Sequence, residues 1–294
     1  MSSLYTEVRG SGPALVLLHG WGLNVRVWDG LAAALCDRFR IIAVDLPGHG
    51  RSGWLPERAS LEEQAAQVRE TVAALAAEYS LLGWSLGGQI ALQLAATRQS
   101  PGTRQPPAGA GVNRLVLIAA TPRFLVGPDW PHGASPERLA AQAAGLSTDY
   151  RRTVSDFLEL QVRGSAGAAG ALAQLQSALF AHGSAEACRD GGALPASRLP
   201  PAACGSHLPA LARGLELLRD TDLRALLPQI TLPTLVIAGQ YDRVTLPAAS
   251  RALVDSLPNG RYVEIRRAAH APFLSQLAEL SALLSDFLLP RATR

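Results

Sequence analysis

Three residues of this chain have the types and the chain order that nucleophilic acyl chemistry requires. Ser85 stands in Gly83-Trp84-Ser85-Leu86-Gly87, a Gly-x-Ser-x-Gly pattern. A serine hydroxyl is a weak nucleophile; it needs a base, and the base needs an acid to orient it. Asp242 follows the apolar run Thr234–Gly239, and His270 follows the run Arg261–Ile265. Taken singly, Asp242 reads as a turn or capping residue and His270 as a helix-start residue. Taken together, the order Ser, Asp, His matches the order that accompanies this serine pattern in parallel sheets. His19, His49, His132, His182 and His207 are poorer bases, because none follows a late strand.

The same chemistry needs donors for a developing oxyanion. One should come from the residue after the nucleophile and one from the loop after an early strand. These are the backbone N–H groups of Leu86 and Trp21, the latter in His19-Gly20-Trp21-Gly22. Gly20 and Gly22 let that backbone approach a substrate. His19 reads as a hydrogen-bonded structural residue.

Composition removes competing chemistries. All 27 basic residues are Arg; the chain has no Lys. Schiff bases, Ser–Lys dyads and a P-loop are therefore excluded. The formal charge of +3 comes with no basic stripe of the kind nucleic-acid binding uses. Cys36, Cys188 and Cys204 lack metal-ligand spacing, and an odd count argues against a disulfide framework. No metal or organic cofactor is expected. The polar start, Met1 to Gly10, and the lack of an apolar run of about 18 residues predict a cytoplasmic protein. It is expected to act as a monomer.

The elements that must position these residues follow from apolar periodicity. Leu4–Arg9 reads as an edge strand. Ala14–Leu18, Ile41–Val44 and Leu115–Ala119 are short apolar runs, as expected of strands buried on both faces; the apolar run into Gly83, Thr234–Gly239 and Arg261–Ile265 also read as strands. Val27–Phe39, Leu61–Ala77, the stretch after Ser85 and Pro272–Leu289 read as helices. Alternation of this kind predicts an α/β fold with a mostly parallel sheet flanked by helices.

From Pro122 to Leu227 the alternation stops and no buried strand is evident. Thr153–Val162 places Val154, Phe157, Leu158, Gln161 and Val162 near one helix face. Gln99–Pro107 reads as a surface loop and Gly183–Pro209 as an irregular tract; deletion of Glu186–Pro209 is expected to leave the fold intact. The expected organisation is a core of residues 1–120 and 228–294, with an inserted helical lid at 121–227. A lid at this place would lie over the strand C-terminal ends, where open α/β sheets bind ligands.

The motifs His19-Gly20-Trp21-Gly22, Asp45-Leu46-Pro47-Gly48-His49-Gly50-Arg51-Ser52 and Gly83-Trp84-Ser85-Leu86-Gly87-Gly88 resemble those of the α/β-hydrolase superfamily. Leu17–Asn24 with Val27-Trp28, Arg152-Thr153-Val154, Phe157-Leu158, Leu160-Gln161, Gly214-Leu215-Glu216, Asp222-Leu223-Arg224 and Ala268–Phe273 narrow the likeness. They resemble the pimeloyl-[acyl-carrier protein] methyl ester esterases, the BioH-type carboxylesterases of biotin biosynthesis. The resemblance implies substrate contacts at Trp21, Leu86, Phe157 and Gln161. It also implies a partner, the acyl-carrier protein that bears the ester, met by lid arginines. Arg152 fits that cluster; the matching positions farther along read Asp156, Ala169 and Ala173. Residues 121–225 hold ten Arg against ten Asp plus Glu, so steering around Arg151, Arg152, Arg138 and Arg163 is expected to be shallow.

The expected function is a serine carboxylesterase acting through Ser85, His270 and Asp242 on the methyl ester of a carrier-bound pimeloyl chain. A general short-chain esterase or a carbon–carbon hydrolase of the same fold is the alternative enzyme. A ligand receptor on a hydrolase scaffold is the alternative of another class, and turnover of a small chromogenic ester separates it.

Overall fold

The computed structural model describes residues 4–97, 111–180 and 207–289. The Gln99–Pro107 loop and residues 183–206 of the Ala/Gly/Ser/Pro tract lie outside them, as do Cys188 and Cys204.

The described strands are β1 (Thr6–Arg9), β2 (Ala14–Leu18), β3 (Arg40–Val44), β4 (Glu78–Trp84), β5 (Gly111–Ile118), β6 (Thr234–Gly239) and β7 (Gly260–Ile265). They form one sheet in the order β1-β3-β2-β4-β5-β6-β7. All neighbours are parallel except β1, which runs antiparallel to β3 at the edge. The apolar runs are continuous because both faces are covered. Leu15 and Leu17 enter one apolar cluster and Val16 and Leu18 the other, the alternation that a strand's two-residue period imposes.

The first face is covered by α1 (Asp29–Leu35) and α10 (Leu277–Leu288), and the second by α2 (Leu61–Ala73), α3 (Leu86–Thr97) and α8 (Pro247–Asp255). The helix expected over Val27–Phe39 is shorter. Asn24 caps a 3-10 turn at Val25–Trp28, accepting from the Arg26 N–H at 2.9 Å, and α1 ends at Leu35. The closing helix is two pieces, α9 (Pro272–Ser275) and α10. They break at Gln276, whose backbone (φ −135°, ψ 47°) is not helical.

Between β5 and β6 lie α4 (Pro136–Thr148), α5 (Tyr150–Val162), α6 (Ala168–Phe180) and α7 (Leu208–Asp220). The two ends of this stretch are pinned together. Leu223 N–H donates to Pro122 O at 2.9 Å, and Arg123 bridges to Asp222. Arg224 joins Asp222 at 2.6 Å to Asp129 at 2.8 Å. α7 begins at Leu208, so the last residues of the tract expected to be irregular are helical.

Chain order fixes where loops can meet. The chain leaves β2 to build β3 on one side, then returns to build β4 on the other. The crevice at such a reversal opens at the strands' C-terminal ends. The loops after β2, β4, β6 and β7 all emerge along that edge.

An aromatic cluster closes the layer beneath it. Phe273 packs 4.6 Å from the Trp28 ring and 4.8 Å from the Trp84 ring, all three buried. Phe273→Ala should therefore cost about 3–5 kcal/mol of stability, measured by urea unfolding. A loss under about 1 kcal/mol would show that the cluster closes over the gap.

Candidate active site

Ser85 is the first residue after β4 and has φ 57°. That left-handed geometry is costly for a residue with a side chain. It is enforced from both sides. A Cβ on Gly83 would lie 2.4 Å from Gly87 O, and one on Gly87 would lie 2.5 Å from both Leu18 O and His19 O. Only glycine lets α3 start this close to β2. Ser85 N–H is tied to Ile118 O at 3.1 Å, and its carbonyl receives Gly88 N–H at 2.9 Å. The hydroxyl stands beside the positive end of α3.

Asp242 and His270 are brought together. Asp242 Oδ2 lies 2.8 Å from His270 Nδ1. The other oxygen, Oδ1, accepts the N–H groups of Val244 at 2.8 Å and Thr245 at 3.0 Å. Oδ2 is left for the Nδ1–H, so the lone pair of the imidazole resides on Nε2. His270 Nε2 is buried and has no hydrogen-bond partner; Ser85 and His270 are not hydrogen bonded to each other. The His270 backbone is clamped twice. Its N–H donates to Gln161 O at 2.9 Å, and its carbonyl receives the Trp84 indole N–H at 2.9 Å.

Trp21 and Leu86 lie together under α7. A Cβ on Gly214 would be 2.6 Å from Trp21 Cδ1 and 3.6 Å from Leu86 Cδ2. Trp21 Nε1–H donates to Leu211 O at 2.8 Å, and its ring meets Phe157 edge-on at 5.3 Å. Among the described residues, neither the Trp21 nor the Leu86 backbone N–H donates to another backbone group. Gln161 is buried, with Oε1 unpartnered. Arg152 lies apart from this group. Its side chain is 78% exposed and faces Asp156 at 3.7 Å. Among the described residues, no group of three or more His, Cys, Asp or Glu could hold a metal ion. No helix there is long and apolar enough to cross a membrane.

His19 is a structural residue. Nδ1–H donates to Gly20 O at 2.8 Å and Nε2 accepts the Leu46 N–H at 3.0 Å. Burial lowers its pKa to about 4, against the Gly20 bond, which raises it. His49 packs 5.4 Å from it. Burial, and then the neighbouring His19, lower His49 to about 3. Asp45, around which this loop is wound, is not among the candidate residues that motif and chain order point to. Its Oδ1 accepts Val25 N–H at 2.7 Å and its Oδ2 accepts Arg51 N–H at 2.8 Å. The glycines at Gly48 and Gly50, with φ 72° and 54°, were the available mark of that turn. The acceptors Leu211 O and Gln161 O carry no signal in the sequence, since a backbone acceptor has no residue type to betray it.

The family model described as alpha/beta hydrolase fold matches residues 13–276. The chain is 38% identical over 276 residues to the pimeloyl-[acyl-carrier protein] methyl ester esterase of Nitrosomonas europaea, covering 94% of this chain and 95% of that one. It is 37% identical over 284 residues to the protein of the same name from Stenotrophomonas maltophilia, covering 97% and 96%. Among solved structures, an esterase from Exiguobacterium antarcticum is similar with a TM-score of 0.80 at 22% identity, over 97% of this chain and 95% of that one. A bromoperoxidase from Bacillus anthracis follows with a TM-score of 0.78 at 21% identity, over 97% and 95%. At such identities these two likenesses establish the fold.

Two outcomes are expected from the site's packing. Free imidazoles in the unfolded chain bind protons near pH 6.5, whereas His19 and His49 bind them only near 4 and 3. Between those values the unfolded state holds more protons, so stability falls as pH drops below about 6.5. The loss should be on the order of 3 kcal/mol per histidine by about pH 4. His49→Asn should flatten the slope of the urea midpoint against pH; an unchanged slope would remove His49 as a cause. Gly214→Val should push on Trp21 and lower ester turnover by about tenfold or more while the protein stays folded by circular dichroism. Full activity in this variant would show that α7 yields.

Proposed function

The chain belongs to the α/β-hydrolase family, in the branch of the pimeloyl-[acyl-carrier protein] methyl ester esterases, and from that premise we propose a serine mechanism carried by Ser85, His270 and Asp242. It is a carboxylic ester hydrolase. The observation that carries the reading is the 2.8 Å Asp242–His270 bond on the two loops that flank the Ser85 turn.

Ser85 Oγ attacks the ester carbonyl carbon while His270 Nε2 takes the hydroxyl proton. The N–H groups of Trp21 and Leu86 receive the oxyanion. The tetrahedral intermediate collapses, and the alkoxide leaves as alcohol with the proton from His270. Water then attacks the acyl-enzyme, giving its proton to Nε2. The second tetrahedral intermediate releases the carboxylic acid and returns the proton to Ser85. Asp242 fixes the tautomer throughout and stabilises the imidazolium.

The substrate in this reading is the methyl ester of a pimeloyl chain borne by an acyl-carrier protein, a step of biotin biosynthesis. The full-length likeness to esterases of that name supports it. Residues 121–227 act as a lid on a core of 1–120 and 228–294. Phe157, Gln161 and Gly214 form the lid's side of the pocket, across from Trp21 and Leu86.

Ser85→Ala should lower hydrolysis by at least about 10⁴-fold with the melting temperature preserved, and Asp242→Asn should slow it by a similar order by favouring the wrong tautomer. Stopped-flow assay of the carrier-borne methyl ester checks both. Activity within tenfold of wild type in folded Ser85→Ala would sink the serine mechanism.

A further inference from the structure

The loops that carry Asp242 and His270 also build a surface where the lid meets the core. Arg243 follows Asp242, and Arg266 and Arg267 precede His270; all three are exposed. Arg163 and Arg138, also exposed, come to the same place from α5 and α4. The contacts that join them are specific. Arg138 Nη1 donates to Arg243 O at 2.9 Å, and Ala166 N–H donates to Arg267 O at 2.8 Å. Tyr241 N–H donates to Ala268 O at 2.8 Å, and Arg267 N–H reaches the Gln240 side chain at 3.1 Å. A Cβ on Gly164, next to Arg163, would touch Tyr241 Cβ at 3.6 Å. Tyr241 itself is 43% exposed at the centre.

This surface is poor in compensating charge: Asp242 acts on Arg138, and Glu159 lies one helical turn before Arg163. Segments 163–168, 239–246 and 266–271 contain a single carboxylate, Asp242, and it is buried against His270. Glu137, beside Arg138, is held by the Ser135 hydroxyl at 2.8 Å. None of the five arginines forms an ion pair with a carboxylate among the described residues. The solvent face of α5 differs. There Arg152 faces Asp156 one turn on, and Asp149 lies at the cap.

We propose that an acidic acyl-carrier protein docks on this lid–core seam, around Arg138, Arg163, Arg243, Arg266, Arg267 and Tyr241, and not on the solvent face of α5. The inference rests on the carrier-borne substrate of the preceding subsection. Screening limits electrostatic steering to about 8 Å at physiological salt, so charges guide a tethered ester only if they border the entrance. Arg163, Arg243, Arg266 and Arg267 sit within one to four residues of Gln161, Asp242 or His270, and Arg138 is bonded to Arg243 O. Guanidinium forks also suit carboxylates and the phosphodiester of a carrier's prosthetic arm.

The test compares wild type, the double variant Arg163→Glu/Arg243→Glu, and Arg152→Glu. Each is assayed on methyl pimeloyl carrier protein and on dimethyl pimelate, at about 0.02 and 0.5 M salt. In parallel, labelled acyl-carrier protein is titrated by fluorescence anisotropy against Ser85→Ala, with and without the seam substitutions. The seam variant should lose about tenfold in kcat/KM on the carrier-borne ester at low salt. It should stay within about twofold on the small ester, and the gap should close at high salt. Arg152→Glu should cost less on the carrier-borne ester. An undiminished carrier reaction in the seam variant, a larger effect of Arg152→Glu, or an equal fall on both substrates would overturn the proposal. Wild type that hydrolyses dimethyl pimelate but not the carrier-borne ester would instead remove the proposed substrate. Anisotropy then decides docking separately: salt-sensitive binding abolished by the seam substitutions upholds it, and absence of binding to Ser85→Ala overturns it.

Discussion

A side chain held at φ 57° persists only where its surroundings leave it no alternative. At Ser85 that constraint is the direct contact of α3's first turn with the end of β2. Gly87 presses on the carbonyls of Leu18 and His19, and Gly83 on the carbonyl of Gly87. The cost of a left-handed residue is about 1–2 kcal/mol. It is offset by the burial of α3, whose residues from Leu86 to Ala96 are all buried. The hydroxyl is thereby presented on a rigid turn, and every other member of the site is placed relative to it by strand register. Gly83 pairs with Leu18 and with Leu117, and Ile118 pairs with Ile237, which pairs with Val263. A slip of one residue in any of these pairings would turn its strand's side chains to the opposite face.

The helices inserted between β5 and β6 are wired to the candidate site through backbone atoms. Gln161 O holds the His270 N–H, and Leu211 O holds the Trp21 indole. The Asn24 amide reaches Ala178 O on α6 at 2.8 Å. These bonds come from three different helices, so the loop after β2 and His270 are both braced by the same inserted stretch. Where that stretch leaves and re-enters the sheet, Arg123, Asp222, Arg224 and Asp129 gather. Exposed pairs of this kind contribute little singly. Their effect here is geometric, since they fasten the two stems side by side.

Strands were the most legible part of the fold. Thr234–Gly239 and Ala14–Leu18 coincide with β6 and β2 to the residue, because a strand buried on both faces must be apolar throughout and its flanking turns are not. Helix ends were less legible. The expected first helix opens instead as a 3-10 turn over Val25–Trp28, where the Asn24 side chain accepts the Arg26 N–H, and the break at Gln276 is a backbone torsion with no Gly or Pro beside it. Of the candidate site, Ser85, Asp242, His270, Trp21 and Leu86 could be named from motif and chain order, and Phe157 and Gln161 from the family resemblance alone. The proximity of Gly214 to Trp21 could not, since a glycine's role lies in what it fails to occupy. Arg152 illustrates the converse. Its charge is plain in the sequence, but its placement on the exposed side of α5 beside Asp156 follows only from helical phase.

At Asp242 the hydrogen bonds of the turn decide which carboxylate oxygen meets the imidazole. A carboxylate has two oxygens, and either could face an imidazole. The turn after β6 donates Val244 N–H and Thr245 N–H to Oδ1. That occupation leaves Oδ2 as the oxygen for His270, at 2.8 Å. An asparagine at this position could keep the turn by accepting at its carbonyl, but its NH₂ would then face Nδ1 and draw the proton to Nε2. The turn therefore selects the oxygen, the oxygen selects the tautomer, and the tautomer leaves a lone pair on Nε2. Shape alone does not require a carboxylate here; the direction of one proton does.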